Sequence, residues 1–491
     1  MINPAMINSV GGTHRPVADI RMRQLRHLHF VGIGGAGMSG IAEVMKTLGF
    51  TVTGSDVAES MAVTRLRQLG IPVQIGHAAA HVADADVIVI STAVKADNPE
   101  LAAAQAKRLP IVRRAEMLAE LMRFRIGLAV AGTHGKTTTT SLLAAILAEA
   151  GWDPTYVIGG KLLSSSSNAR LGRGEYLVAE ADESDASFLH LQPHVAIVTN
   201  IDADHLETYE GNFDRLVDHF IEFLHNLPFY GLAVLCADDP VAAGIATRVG
   251  RQVLTYGIEQ SADVRATEVH SDGFGSRFVV NLPNQTHFDC RLAMPGRHNV
   301  LNALAAITVA QDLGVPVAAI QQALTGFQGV GRRLERRGEL SIKGKTLPLI
   351  DDYGHHPREV EATLQAVRAA WPGVRLVVIF QPHRFTRTRD LFEDFVRVLS
   401  TVDHLILLDV YAAGETPIAG ADGRSLARAI RNRGQVDPVF VTDTDEAAAV
   451  LPDIIPQNEI DQQMLVLTLG AGNVGSLPAL LLNQYGVQSH A

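Results

Sequence analysis

Two cysteines, Cys236 and Cys290, are all that 491 residues contain, and they show no metal-ligand spacing. Neither a disulfide framework nor a thiolate metal centre therefore organises the chain, and a reducing cytoplasm is the expected compartment. No run of 18 or more apolar residues exists to cross a bilayer, and the first 25 residues lack the apolar block and cleavage site of an export signal. Positive charge is also short: 42 Lys and Arg stand against 52 Asp and Glu, a net charge of -10. That balance excludes a general nucleic-acid coat or an anionic membrane surface as partner, so any bound anion must be held locally. No repeat of 20 to 50 residues is present, which excludes solenoids and propellers.

What is present is a globular composition, 47% apolar and 19% charged, over a length that suggests about three domains. A short apolar run, then Gly or a polar cluster, then a stretch of helical period recurs along the chain, the signature of parallel sheets with crossover helices. The expected fold is α/β, three domains with mainly parallel sheets. A polar N-terminal tail covers residues 1–25, and the domains span 26–124, 125–331 and 332–491.

Two glycine-rich turns follow predicted strands. Gly32-Ile33-Gly34-Gly35-Ala36-Gly37 precedes a helical stretch, with Asp56 nineteen residues beyond Gly37. Small residues let backbone approach a diphosphate at a helix N-terminus, and the motif itself does not choose between NAD and another nucleotide. Gly132-Thr133-His134-Gly135-Lys136-Thr137-Thr138 is a phosphate loop in which Val130 stands where the usual first glycine would be. Backbone N–H groups would cradle a triphosphate there, Lys136 would reach its β- and γ-phosphates, and the Thr137 hydroxyl would ligate Mg²⁺. Two acidic clusters, Glu180 to Glu183 and Asp202 to His205, close further predicted strands. Ligands sit beyond the carboxyl ends of strands in open α/β sheets, so these clusters and the phosphate loop should share one edge. Glu180 is a natural ligand for a hard cation, whereas pattern alone assigns His205 no particular role.

Further along, Asn299 is expected to cap a helix with Asn302 on its first turn; either the helix is an ordinary one, or His298 and Asn302 meet a purine. Asp351-Asp352-Tyr353-Gly354-His355-His356-Pro357 follows a strand and opens a helix. Arg384, Arg387 and Arg389 follow another strand and offer forked donors for phosphate or carboxylate. Gly470-Ala471-Gly472-Asn473 reads as a tight turn.

Taken in order, these motifs, with Gly331 to Arg333 and Gln381 to Asp390, resemble the ATP-dependent Mur ligases of peptidoglycan synthesis, and among them the branch that adds L-alanine. The resemblance implies a Rossmann-like UDP-binding domain, a P-loop-type central ATPase domain and a Rossmann-like C-terminal domain in a cytoplasmic bacterial enzyme of cell-wall synthesis. It implies that L-alanine is joined to the lactyl carboxylate of UDP-N-acetylmuramate through an acyl phosphate, with ATP and two Mg²⁺ ions, for which Mn²⁺ is a substitute. The enzyme would be a monomer or weak homodimer.

By the same resemblance, Gly32, Gly34, Gly35, Ala36, Gly37 and Asp56 hold the UDP moiety, joined by His205, Arg384 and Arg387 at the sugar. Gly132 to Thr138, His298, Asn299, Asn302, Arg333 and Asp351 hold ATP, and Thr137, Glu180 and His205 hold metal. Tyr353 and His355 meet the amino acid, and Lys136, His205, Arg333, His355 and Arg384 are the catalytic set. One departure stands out: several relatives carry a carbamylated lysine after the histidine matching His205, yet residues 207–230 contain no lysine. Three rivals are a ligase for a ready-made tripeptide, a nicotinamide dehydrogenase and an ATP-gated sensor of UDP-sugars.

Overall fold

A computed structural model describes residues 22, 25–91, 93–163, 167–455 and 463–487. Apart from Met22 and Leu25, the expected tail over 1–25 lies outside the described residues. Met22 is buried against the first apolar core.

The chain forms three α/β units, as expected, each built on one sheet. The first sheet contains β1 (His27–Val31), β2 (Thr51–Asp56), β3 (Val73–Ile75), β4 (Val87–Ile90) and β5 (Ile111–Arg113). Its order is β3-β2-β1-β4-β5 with every pair parallel, a Rossmann-like arrangement whose order reverses between β1 and β4. The glycine turn leaves β1 at that reversal and leads into α1 (Ala36–Thr47).

The central sheet contains β6 (Ile126–Ala131), β7 (Thr155–Leu162), β8 (Ser167–Arg170), β9 (Tyr176–Glu180) and β10 (Val195–Val198). It continues through β11 (Leu232–Cys236), β12 (Gln252–Gly257), β13 (Val264–Ser271), β14 (Ser276–Asn281) and β15 (His287–Leu292). The strands run in the order β15-β14-β13-β12-β11-β10-β6-β9-β7-β8, antiparallel only at the two ends. β6 is an uninterrupted apolar run because both its faces are covered. It lies between β10 and β9, parallel to both, with Ala131 opposite Val198 and Val130 opposite Glu180. The phosphate loop and both acidic clusters therefore leave the sheet at one edge.

α2 (Lys136–Glu149) begins inside the phosphate loop and is buried almost throughout. Its run of four threonines and a serine is a poor helix former, but the buried hydroxyls are satisfied locally. Thr140 donates to the Lys136 carbonyl at 2.9 Å and Ser141 to that of Thr137 at 2.7 Å. The third sheet comprises β16 (Glu335–Ile342), β17 (Lys345–Asp352), β18 (Arg375–Phe380), β19 (His404–Leu408), β20 (Val439–Val441) and β21 (Met464–Leu469), ordered β16-β17-β21-β18-β19-β20. Only the β16–β17 pair is antiparallel.

One apolar cluster runs from the first unit into the central one, joining Phe30 and Ile41 to Val157, Ala169 and Phe220. At the seam α1 packs so closely on β8 that a Cβ on Gly40 would stand 2.7 Å from that of Ala169. The third unit has two clusters of its own, one on each face of its sheet.

Within the first unit, a fully buried carboxylate holds strand ends to a helix. Glu100 accepts from the Ser55 hydroxyl at 2.6 Å, pairs with His81 Nδ1 at 2.6 Å and His77 Nδ1 at 3.3 Å, and has His29 Nε2 at 3.8 Å. Burial raises its pKa, but His29, Ser55 and His81 outweigh this and hold it near 2, below the ordinary 4.5. Its contribution to stability is complete above pH 4.5 and is lost as pH falls toward 2. Glu100→Gln is expected to lower Tm at pH 7, with the wild-type and variant Tm curves converging as pH falls through this window. Parallel curves over that range would contradict the charge assignment.

Candidate active site

Strand β6 ends at Ala131, and the chain turns through Gly132 at φ +128° and Gly135 at φ +84°, a left-handed region that a side chain resists. A Cβ on Gly132 would stand 2.0 Å from Thr199 Oγ1, and one on Gly135 2.4 Å from Asn302 Oδ1. The turn is splinted from the β10 end. Asn200 Oδ1 accepts the His134 N–H at 2.8 Å, its amide donates back to the His134 carbonyl at 2.9 Å, and the Thr199 hydroxyl donates to that carbonyl at 2.6 Å. Side-chain bonds between β10 and the loop thus fix the peptide that would face the phosphates.

Lys136 folds back across the loop, donating to the Gly132 carbonyl at 2.7 Å and to both Glu183 oxygens at 2.8 Å. Burial disfavours the ammonium, but Glu183 and Asp182 outweigh it and raise the pKa above the ordinary lysine value. Burial pushes the Glu180 carboxyl upward, opposed by the Gly159 N–H, Lys136 and the Thr137 hydroxyl. Gly159 donates to Glu180 at 2.6 Å, and Gly160 leaves room for the Thr137 methyl, which a Cβ there would meet at 2.7 Å. Lys136, Thr137 and Glu180 thus meet at one point, and the Thr137 hydroxyl with the Glu180 carboxylate makes a hard-oxygen donor pair suited to Mg²⁺.

His205 belongs to a neighbouring group. It has a left-handed backbone at φ +54° and lies 3.7 Å from Asp204, whose carboxylate receives Arg387 Nη2 at 2.9 and 3.1 Å. Burial raises the Asp204 pKa, but Arg387 and His205 outweigh it and hold the carboxyl well below its usual range. Burial lowers the His205 pKa, against the pull of Asp204. Arg384, also left-handed at φ +70°, reaches Glu207 at 3.4 Å. The third unit's two arginines therefore grip the loop that carries His205.

A cleft opens beside the phosphate loop, between the central and third units. His134, Gly135, Thr138, His298, Asn299 and Asn302 line it from the central unit. Asn299 is not the helix cap expected for it. The helix α3 (Arg297–Asp312) is capped by Gly296 at φ +98°, so Asn299 is its third residue, and its amide donates back to the Pro295 carbonyl at 2.8 Å. Asn302 consequently lies on the second turn, not the first, where its amide donates to Asn299 at 3.3 Å and its Oδ1 accepts from Thr139 at 3.3 Å. Burial, reinforced by Arg333, lowers His298 to about 4, leaving a neutral ring at the cleft.

Arg333 lines the cleft, but Asp351 does not. Alternate strand residues face opposite ways. Asp351 is turned to the back, bonded to Arg332 Nε at 3.1 Å and the Thr468 hydroxyl at 2.7 Å, while Asp352 faces the cleft. Asp352 accepts N–H bonds from Leu334 and Gly354 at 2.8 Å each, and burial pushes its carboxyl up to about 6. Tyr353 lies under both Arg332 and Arg333, with their guanidinium carbons 5.1 and 5.3 Å from the ring. His355 meets the edges of Tyr353 and His383 at 5.4 Å each, and burial lowers it to about 3. From α4 (Pro357–Ala370), Glu359 reaches His134 at 3.3 Å and Arg333 at 3.8 Å.

At the first unit's turn, Asp56 Oδ2 accepts the Gly34 N–H at 2.7 Å and so supports the loop itself. Gly32 lies at φ +76° and Gly35 caps α1, leaving Ala36 and Gly37 as its first residues. Over Gly37 stands Arg114, whose guanidinium a Cβ there would meet at 3.0 Å; its Nη2 lies 3.5 Å from Asp182. Sequence reasoning did not single out Arg114, Tyr256, Arg358 or Glu359, and it held Asn200 and Asp352 within motifs without assigning either a role. The unused signal for Arg358 and Glu359 was their place in the first turn of α4, directly after a quoted motif.

Three family descriptions match successive stretches of the chain: "Mur ligase family, catalytic domain" over residues 27–125, "Mur ligase middle domain" over 130–310 and "Mur ligase, glutamate ligase domain" over 332–472. A UDP-N-acetylmuramate–L-alanine ligase of Halorhodospira halophila is 59% identical over 458 residues, 93% of each chain. The crystal structure of a UDP-N-acetylmuramate–alanine ligase from Thermotoga maritima is similar with a TM-score of 0.78 at 30% identity, over 94% of this chain and 99% of that one. A murein peptide ligase from Psychrobacter arcticus is similar with a TM-score of 0.68 at 25% identity, over 95% of this chain and all of that one.

The Asn200 splint carries a prediction. Asn200→Ala removes two hydrogen bonds from the His134 peptide and should weaken ADP binding about tenfold, measured by calorimetry, with the fold retained by circular dichroism. Unchanged affinity would mean that the loop needs no support from β10.

Proposed function

The chain belongs to the Mur ligase family, and from that premise we propose that it joins L-alanine to the lactyl carboxylate of UDP-N-acetylmuramate, converting ATP to ADP and phosphate. The observation that carries this reading is the 59% identity to an L-alanine-adding ligase over 93% of both chains. The convergence of Lys136, Thr137 and Glu180 at the end of β6 and β9 supports it chemically.

A carboxylate is inert toward an amine because its leaving group would be oxide. The lactyl carboxylate oxygen attacks the γ-phosphorus, and the bond to the bridging oxygen breaks to release ADP. The amine of alanine then attacks the acyl phosphate carbon, the C–O bond breaks, phosphate leaves and the amine gives up a proton. Lys136 supplies charge to the transferring phosphoryl group, and exchanges its present partner Glu183 for phosphate oxygens as nucleotide enters. Thr137 and Glu180 are the ligands for Mg²⁺, which neutralises triphosphate charge when bound. His205, in the neighbouring loop that Arg384 and Arg387 hold, would be the nitrogen donor for a second ion near the sugar carboxylate.

The adenine base belongs in the cleft with His298, Asn299 and Asn302, and Arg333 reaches the phosphates from the hinge. Asp352, which faces that cleft, takes the role the resemblance implied for Asp351. Gly32 to Gly37 and Asp56 serve the UDP diphosphate, with Arg114 above Gly37 as an additional cation. Arg384 and Arg387 orient the muramyl carboxylate, and Tyr353 and His355 bound the alanine site. The third unit, held against the loop by these arginines, keeps water from the acyl phosphate. No helix among the described residues is long and apolar enough to cross a membrane, and we place the enzyme in the cytoplasm as a monomer or weak dimer.

Phosphate release measured over a panel of amino acids with ATP, Mg²⁺ and UDP-N-acetylmuramate should depend on L-alanine. Release driven by a tripeptide instead, or without any amino acid, would overturn the substrate assignment. Lys136→Ala should lower turnover at least about a hundredfold, as expected for loss of one preorganised charge donor. Near-normal turnover would remove Lys136 from the chemistry.

A further inference from the structure

His134, Asp202 and His356 form a second cluster of ligand type, apart from the hard-oxygen pair Thr137–Glu180. One ligand atom from each, a ring nitrogen or a carboxylate oxygen, lies within 4.8 Å of those of the other two. His134 Nε2 is 3.2 Å from Asp202 Oδ2, and the rings of His134 and His356 are 4.9 Å apart between centroids. His356 is 4% exposed, and its Nε2 is buried without a hydrogen-bond partner. Two ligands come from the central unit, in the phosphate loop and beyond β10, whereas the third opens α4 of the third unit.

We propose that His134, Asp202 and His356 bind a borderline divalent transition ion, with zinc as the reference case, which fastens the phosphate loop to the third unit. Two imidazoles and one carboxylate suit zinc or cobalt far better than magnesium, which prefers oxygen. A set of three protein ligands leaves a position for water or a phosphate oxygen. Outer-shell support exists: His134 Nδ1 lies 3.3 Å from Glu359 Oε1, the carboxylate–histidine arrangement that orients a ligating ring. His356 Nδ1 accepts the Arg358 N–H at 3.3 Å, a long bond that is given up when Nε2 ligates and the ring proton moves to Nδ1. Arg358 Nε, 3.0 Å from Asp202, is on an exposed side chain and swings aside as the ion enters. The His134 ring shares Asp202 and Glu359 as a cation, so the ion displaces one proton into solvent. The consequence is inhibition, because the ion holds His134 and the interface closed where nucleotide must enter and ADP must leave.

The test is titration of the full chain with Co²⁺ in excess Mg²⁺ and without nucleotide, followed by its visible absorption, with Zn²⁺ as competitor. One equivalent should bind and Zn²⁺ should displace it, and Zn²⁺ should slow turnover. His356→Thr keeps a helix-capping hydroxyl and should weaken Co²⁺ binding at least about tenfold. Asp202→Asn should do the same, and serves if the first variant fails to fold. Glu180→Gln should leave Co²⁺ binding intact. No binding to the wild type, wild-type affinity retained in the His356 and Asp202 variants, or loss of binding in Glu180→Gln would each overturn the proposal.

Discussion

A single buried cation governs the chemistry of the central sheet edge. Three carboxylates, Glu180, Asp182 and Glu183, lie around Lys136, with Glu183 in direct contact, and burial penalises every charge among them. Replacing such a group by apolar residues commonly stabilises a fold, so its presence is a poor investment in stability alone. It makes sense as a site prepared for a still denser anion. On the proposed function a triphosphate would take the ammonium from Glu183, and the carboxylates on the far side would require compensating positive charge, which the Thr137–Glu180 donor pair is suited to recruit. The sheet makes this possible because β10, β6 and β9 are adjacent and parallel, so their three loops share one edge.

The way the units are joined follows a second division of labour. The first and central units share a continuous apolar cluster, whereas the third keeps its own cores. Across the third unit's boundary run ion pairs: Arg387 with Asp204, Arg358 with Asp202, Glu359 with His134 and Arg384 with Glu207. Apolar burial is non-directional and lost only by exposing area to water, but charged pairs can exchange partners with a ligand of like chemistry. Phosphate and carboxylate substrates are such ligands. The boundary of the third unit is therefore the one held by exchangeable contacts.

Much of this was legible in the residues. Apolar runs of four to six before Gly-rich or acidic clusters located the central strands, and parallel order followed from the crossover pattern, so the meeting of Lys136, Thr137 and Glu180 was foreseeable, whereas His205, expected at the same point, stands in the neighbouring group with Asp204 and Arg387. Local geometry at single positions was less so. Asn299 has the residue type of a cap, yet Gly296 takes that place because the chain enters α3 with positive φ, which asparagine three residues later does not reveal. Arg114 and Glu359 reach their partners Asp182 and His134 across 68 and 225 positions. No short-range pattern encodes such distances; only the packing of one unit on the next does.

The junction of the central and third units shows how adjacent identical residues acquire different work. Arg332 and Arg333 are consecutive, as are Asp351 and Asp352, and composition cannot separate the members of either pair. Strand alternation can: Asp351 points behind β17 to Arg332 and Thr468, and Asp352 points forward to the cleft. Arg332 and Leu334 have left-handed backbone at φ +59° and +48°, on either side of Arg333. Such conformations persist only where surrounding contacts impose them. The Arg332–Asp351 pair, together with the Leu334 N–H bond to Asp352, supplies that constraint, and Arg333 between them is thereby aimed at the cleft. The rear pair is thus structural in contact but functional in effect, since it fixes the direction from which Arg333 enters the cleft.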